Sequence, residues 1–279
     1  MMKTNNYLSY VILVVCLLVA FFTLSPFIFM FVSSFKPGQE LLRDGINFKI
    51  DFKIMTPKNY LLLFTERDGV YFRWYFNSVI IALIQTSLSV LFSSMVGYGL
   101  AVYRFRGQAL VFSLVLVLMM VPVEILLLPL YKLMIDAHLY NTYAGIILPY
   151  AVSPFAVFFF RQYITGIPKD YVDAARIDGC SEFRIYARIM MPLMVPALGA
   201  MIILLSMGSW NAFVWPMIVS GSREMMTLPV GLATMITPYG NNYDMLMPGA
   251  LLAVVPIAII FLLMQSSFID SMTIGGIKE

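Results

Sequence analysis

Long apolar windows set apart by short polar connections dominate the chain. Uncharged or nearly uncharged runs cover residues 4–35, 74–103, 107–131, 139–160, 189–222 and 245–269, with Glu124 as the one interruption. A helix crossing the hydrocarbon core needs about 20 apolar residues. Each window meets that need, so the pattern predicts an all-α polytopic membrane protein with six transmembrane helices. The expected spans are 8–33, 74–103, 108–131, 141–162, 193–220 and 246–269, in one transmembrane domain covering 1–279. The window 189–222 also leaves room for a short re-entrant or interfacial piece. The connections differ in kind. Residues 36–73 are long and mixed in charge, 104–107 make a tight basic turn, and 132–141 are short. Residues 161–188 hold a charged insert, and 223–244 end in the turn-rich string TPYGNNYD.

Prolines punctuate the same windows: Pro26, Pro122, Pro129, Pro149, Pro154, Pro192, Pro196, Pro216, Pro248 and Pro256. A proline removes a helical hydrogen bond and kinks the helix. In a membrane this is tolerated where neighbours or a cavity satisfy the freed groups. The bland reading is ordinary kinking; the functional one is a bundle of bent helices around a path.

Composition agrees with the pattern. The chain is 61% hydrophobic and 12% charged, with mean hydropathy +0.86, against roughly 25% charge in a soluble domain. The net charge of +3 is small, and no basic cluster points to nucleic acid. Two cysteines, Cys16 in an apolar run and Cys180 in the insert, predict no disulfide. One histidine and scattered carboxylates offer no metal-ligand spacing. The dipeptide Gly-Lys is absent, so the chain has no Walker A loop for ATP. The apolar run after Lys3 extends through Phe31, too long for a signal-peptide core, and is read as a retained helix. The eighteen Lys and Arg residues divide nine to nine between the two sides. Charge therefore leaves orientation open, although the short basic turn at Arg104 and Arg106 favours a cytoplasmic side.

The insert, residues 168–190, carries helix signals. Pro168 suits a first turn, and Lys169 to Asp178 form or tolerate helix. Gly179 fits the left-handed position that ends one. Ser181 is a natural cap for a second helix, with Glu182 placed favourably in its first turn. That helix runs through Met190 to Pro192. Ala174 and Ala175 give the first helix a low surface that a partner can approach. An interfacial hairpin with no partner fits the same pattern equally well.

Glu124 is the one charged residue within the apolar windows. Such a group faces a cavity or a partner, or lies near enough to the outer end to be solvated. Trp210 and Asn211 offer an aromatic face and an amide for a sugar in a pore. Trp215, nearer the outer end, reads as an interfacial belt residue. Glu124, Trp210 and Asn211 are thus the candidate pathway or gate residues.

The spacing Asp173-Ala174-Ala175, three residues, Gly179, nine residues, Ile189-x-x-Pro192 resembles the EAA motif of ABC importer permeases, E-A-A-x3-G-x9-I-x-L-P. Asp173 stands for Glu and Met191 for Leu. The resemblance covers nearly the whole chain. The stretches beginning Asn77, Met119, Ile147 and Ser209 and the tail TIGGIKE are similar to the second permease subunit of maltose-type carbohydrate importers. The segments LLRDGINFKIDFKIM and TPYGNNYDML are similar to its arabinose and arabino-oligosaccharide branch. The tail ends Lys278-Glu279 where the family usually has Lys-Gly.

This resemblance implies an ABC type I importer permease fold in the cell membrane, multi-pass, with N- and C-termini cytoplasmic. It implies a cytoplasmic coupling helix in which Asp173, Ala174, Ala175 and Gly179 contact the ATPase. It implies that Tyr239, Gly240, Asn241 and Asn242 form an outer loop reaching an extracytoplasmic sugar-binding protein. The implied partners are a second permease in a heterodimer, two ATPase subunits and that binding protein. ATP and Mg would sit on the ATPase subunits, with no cofactor on this chain and no catalytic residue. The rival from another class is an ion-coupled secondary transporter or channel, which calls for paired intramembrane charges. A membrane enzyme needs a nucleophile–base set or metal ligands, and His138 stands alone in the sequence.

Overall fold

The computed structural model describes residues 6–44, 49–236 and 242–274. Among them the chain is helical, without strands. The helices are α1 (Asn6–Ser34), α2 (Gly38–Asp44), α3 (Lys58–Thr65), α4 (Val70–Val102), α5 (Gln108–Met120), α6 (Val123–Asp136), α7 (Tyr143–Ile147) and α8 (Pro154–Thr165). They continue as α9 (Asp170–Ile177), α10 (Glu182–Ile185), α11 (Met191–Leu193), α12 (Val195–Trp210), α13 (Val214–Val219), α14 (Leu228–Ala233) and α15 (Tyr243–Ile274). Three helices are long and apolar enough to cross a membrane unaided: Ser9–Ser34, Val70–Val102 and Tyr243–Gln265. The other three apolar windows each fall on two helices bent against each other, by 101° between α5 and α6, 43° before α8, and 80° between α11 and α12.

Proline chemistry places each bend. Val121, before Pro122, is extended at φ −79°, ψ 117°, the conformation a following proline enforces. Ser153 caps α8, its hydroxyl accepting from the Ala156 amide at 3.3 Å, and Pro154 takes the first helical position. Met194 precedes α12, whose second residue is Pro196. Its amide is shared between the Met190 and Met191 carbonyls at 2.9 and 3.2 Å, so this bend leaves that donor satisfied inside a buried site.

Contacts group the chain into two units. One contains residues 1–72 and 231–255. Here the Asn59 amide donates to the Ser34 and Lys36 carbonyls at 3.0 and 2.8 Å. The Tyr71 hydroxyl donates to the Gly249 carbonyl at 2.9 Å. The apolar window of α1 is 0% buried.

The other unit contains residues 73–230 and 256–279. Its core is built on α4 and α8. A Cβ on Gly97 would lie 2.8 Å from the Phe160 Cβ and 3.0 Å from the Arg161 amide nitrogen. Lipid tails are as apolar as these side chains, so close backbone approach and dispersion drive such packing. One turn away, Ser93 Oγ accepts from the Ser153 amide at 3.1 Å. Around this seam cluster Val90, Tyr98, Ala156, Phe160, Ile164, Ile185, Tyr186, Met190 and Met201, all buried. Near the other end of α4, Trp74 Nε1 donates to the Arg223 carbonyl at 2.7 Å. Asn77 donates to the Glu224 and Met226 carbonyls at 2.6 and 2.9 Å and accepts from the Tyr143 hydroxyl at 2.6 Å.

The seam yields a test. Gly97→Ala forces α4 from α8 at a cost of about 1–3 kcal/mol, read as a lower melting temperature of the detergent-solubilised protein. Gly99→Ala, where a Cβ meets nothing within 4 Å, leaves the melting temperature unchanged or raises it.

Candidate functional site

The insert folds as two short helices about a glycine corner. Val172 and Ala175, three apart on α9, point into the α4–α8 core and are buried. Tyr171, Ala174 and Ile177 occupy the opposite side and are exposed, Ile177 by 87%. Phe183 of α10 is exposed by 70%. The corner satisfies the last carbonyls of α9: the Gly179 amide donates to the Arg176 carbonyl and the Cys180 amide to the Ala175 carbonyl, both at 3.0 Å. This is a Schellman cap, which puts its penultimate residue in the left-handed region. Gly179 is there, at φ +76°. Ser181 has the extended backbone of a cap, but its hydroxyl makes no capping bond. A π-helical turn over Tyr186–Met190 follows α10 and leads to Pro192.

One carboxylate locks the corner. Glu182 Oε1 accepts from Arg176 Nε at 2.8 Å, and Oε2 from Arg176 Nη2 at 3.2 Å. This is the two-pronged geometry that planar guanidinium favours. The Tyr103 hydroxyl, just past the end of α4, donates to Oε2 at 2.7 Å. The same guanidinium lies 3.5 Å from Asp173 and 5.9 Å from the centre of the Tyr103 ring. Hydrogen bonds from Arg176, then Tyr103, hold the Glu182 carboxyl below its ordinary range, and Glu182 holds Arg176 above its own. Tyr103 meets Tyr98 edge-on at 5.7 Å, Tyr98 meets Tyr186 at 5.4 Å, and the Tyr186 and Ser94 hydroxyls pair at 2.8 Å. The insert is thereby joined to α4 by polar and aromatic contacts, as well as to α12 through the chain.

The resemblance implied that Asp173, Ala174, Ala175 and Gly179 all contact the ATPase. The structure divides them: Asp173, Ala174 and Gly179 are exposed, while Ala175 packs inward. Glu182 was expected to serve a helix dipole, but its carboxylate is occupied by Arg176 and Tyr103. Trp215 corrects the belt reading. It is buried, with Nε1 donating to the Gly145 carbonyl at 3.2 Å, because α13 packs on α6 and α7. Trp210 is also buried, edge-on to Tyr75 at 5.6 Å. Asn211 ends α12 and is exposed, its amide donating to the Met207 carbonyl at 3.0 Å. Glu124 is exposed in the first turn of α6, directly after the 101° bend, where a helix N-terminus favours a carboxylate. Glu124 sits at the start of α6, and Trp210 and Asn211 sit at the end of α12.

Tyr239, Gly240 and Asn241 lie outside the described residues. Asn242 caps α15, its Oδ1 accepting from the Met245 amide at 3.3 Å. Among the described residues no group of three or more His, Cys, Asp or Glu is placed to hold a metal.

Residues 89–270 match the family described as "Binding-protein-dependent transport system inner membrane component". The chain belongs to that family. The permease is 54% identical to the arabinooligosaccharides transport system permease protein AraQ of Bacillus subtilis (strain 168), over 91% of this chain and 90% of the relative. It is 50% identical to the protein of the same name from Halalkalibacterium halodurans, over 99% of both. In fold it matches a chain in the crystal structure of a bacterial ABC transporter involved in the import of the acidic polysaccharide alginate. That match has TM-score 0.82 and 20% identity, covering 96% of the permease and 99% of that chain. The permease is a multi-pass membrane component of a transport system, and not an enzyme.

Sequence reasoning missed Tyr103 and Arg176. Arg176 and Glu182 carry a local signal, opposite charges six apart across a helix-ending glycine. Tyr103 carries none, being 79 residues from Glu182.

Glu182→Gln in the permease, with Tyr103→Phe as a milder second variant, loosens the corner at neutral pH. Amide hydrogen exchange across 176–186 becomes faster in both, more so in Glu182→Gln. Because the folded Glu182 titrates below its unfolded counterpart, its contribution is complete above the usual carboxylate pKa of about 4.3. It is lost only as pH falls through the lower folded value. Wild-type exchange, corrected for the intrinsic pH dependence of the amides, therefore stays flat near neutrality and rises only in acid.

Proposed function

We propose that this permease pairs with a second permease subunit to carry arabino-oligosaccharides into the cell, with the insert 168–190 as its docking helix for an ATPase subunit. The observation that carries the coupling assignment is the insert's geometry. A capped, clamped corner presents Tyr171, Ala174, Ile177 and Phe183 outward, apolar side chains on a polar element that needs a partner to cover them. Two relatives at 54% and 50% identity, both named for arabinooligosaccharides, support the sugar class. Asp173 and Gly179 are the exposed positions of the motif, with Ala174 allowing close approach. Ala175 contributes from beneath, by seating α9 on the core.

In this reading the insert and both termini face the cytoplasm, a choice that the tied charge count leaves open. Residues 36–73 and 223–244 face outward, with Tyr239, Gly240, Asn241 and Asn242 toward a sugar-binding protein. Nucleotide and Mg belong to the ATPase subunits. Closure of those subunits moves α9, and the clamp at Glu182 passes the movement to α4 while Pro192 passes it to α12. Exposed Glu124 and Asn211 are the pathway candidates; Trp210 acts as packing.

Membrane vesicles with co-expressed partners should take up labelled arabino-oligosaccharide when ATP is supplied inside, with no effect of an uncoupler. Gly179→Pro cannot adopt φ +76°, and Asp173→Lys reverses the edge charge. Both should abolish uptake while the permease still inserts and is recovered in membranes. Uptake that collapses with the proton gradient, or both variants transporting normally, would refute the proposal. In a deletion strain, loss of arabino-oligosaccharide uptake with α-galactoside uptake intact would support the sugar class, and the reverse would oppose it.

A further inference from the structure

Arg161 is a permanent charge in the last turns of α8, and no described residue pairs with it. Its Nε is shut off from solvent without an acceptor. One face of the guanidinium is covered by the Phe112 ring, 3.7 Å from its centre. Phe112 in turn stacks on Phe158 at 6.2 Å. A half-buried guanidinium with an enclosed, unpaired Nε–H, a ring on one side and no counter-charge is costly to keep, and it calls for an anion.

Arg161 also lines a cavity of about 150 Å³, together with Lys169, Gln108, Thr165, Asp173 and Arg176 and apolar side chains of α4, α8 and α9. At about 30 Å³ per water it holds roughly five waters or one compact anionic group. Its polar members are largely committed elsewhere. Gln108 donates to the Leu100 carbonyl at 2.8 Å, and the Thr165 hydroxyl to the Arg161 carbonyl at 2.8 Å. Asp173 faces Arg176 at 3.5 Å, and Arg176 is gripped by Glu182. Arg161 and Lys169 are left as two positive charges without an ion pair among the described residues.

We infer that this cavity binds the phosphate of an anionic membrane lipid, seated between Arg161 and Lys169 at the root of the insert. The position selects a lipid over a soluble anion. The cavity lies where α5 begins and α8 ends, the level of the headgroups if both helices cross the membrane. Basic pockets between helix ends at the cytoplasmic face take lipid headgroups in this way. From the same end of α5 the exposed side chains Leu110, Leu114 and Val117 run along the helix and offer an apolar track for acyl chains. A phosphate here touches α8 and α9 together, so it braces the insert against the helix that precedes it. The inference rests on the transport reading only in placing this end of α8 at the membrane boundary, and its readout is lipid retention, not transport.

The test is native mass spectrometry of the purified, assembled transporter titrated with phosphatidylglycerol or phosphatidylcholine. The wild type should retain phosphatidylglycerol preferentially. The Arg161→Gln/Lys169→Gln variant should bind it roughly thirtyfold more weakly, given about 1 kcal/mol for each of the two basic residues near an anionic surface. The intact mass of each complex reports whether the variant assembles. Lys169→Gln alone, at an exposed position, gives a partial loss should Arg161→Gln fail to fold. Equal retention of the two lipids by the wild type, or unchanged retention by both variants, would overturn the inference. Displacement of the lipid by millimolar inorganic phosphate would assign the cavity to a soluble anion instead. Loss of ATPase subunits from the double variant in phosphatidylcholine alone would assign it to a carboxylate of that partner; either result overturns the lipid.

Discussion

The Glu182 carboxylate is the contact on which the functional half of the molecule depends. It accepts two hydrogen bonds from Arg176 and one from Tyr103, so three segments of chain meet at one group: the end of α9, the start of α10 and the end of α4. Each bond is partly exposed, and an exposed ion pair taken singly contributes little. Their effect is geometric. A helix of eight residues has little stability of its own, and α9 is held by its buried side, its Schellman cap and this clamp. The outer side can then present Ala174 and Ile177 in a fixed place.

Fixing that element matters because the transmembrane part is built to bend. Three of its six apolar windows are broken at Pro122, Pro154 and Pro196; the second break carries the Ser153 cap and the third the shared Met194 amide. Opposed to them is the stiff pairing of α4 with α8, where Gly97 brings backbone against Phe160 and Arg161. On the proposed coupling role, displacement of the insert has two routes. One passes directly to α12 across an 80° bend. The other passes through Tyr103 and Tyr98 to α4, which is straight enough to count as one span and is tied near its other end to residues 223–228 through Trp74, Asn77 and Ser78.

Local chemistry was legible in the sequence. The glycine that ends α9, the prolines that mark the bends and the apolar windows all act over a few residues, and each appears where its neighbours required it. The motif spacing pointed to the family that the relatives support. What escaped reading were contacts between distant segments. Trp215 looked like an interfacial aromatic because nothing in its window announced the Gly145 carbonyl 70 residues away. Tyr103 looked like the end of a span. Ala175 looked like part of a docking face, yet α9 turns it inward, since a 3.6-residue period cannot expose adjacent alanines equally.

In the proposed assembly the corner at Gly179 faces the ATPase subunit. Replacing the native cysteines and introducing Ile177→Cys places a thiol on the most exposed large apolar side chain of α9. Cross-linking with a short bifunctional maleimide should join this position to the ATPase subunit in intact complexes, and the position should resist an impermeant maleimide added outside whole cells. Labelling from outside, or the absence of any cross-link to the ATPase in a complex that is otherwise assembled, would contradict the account.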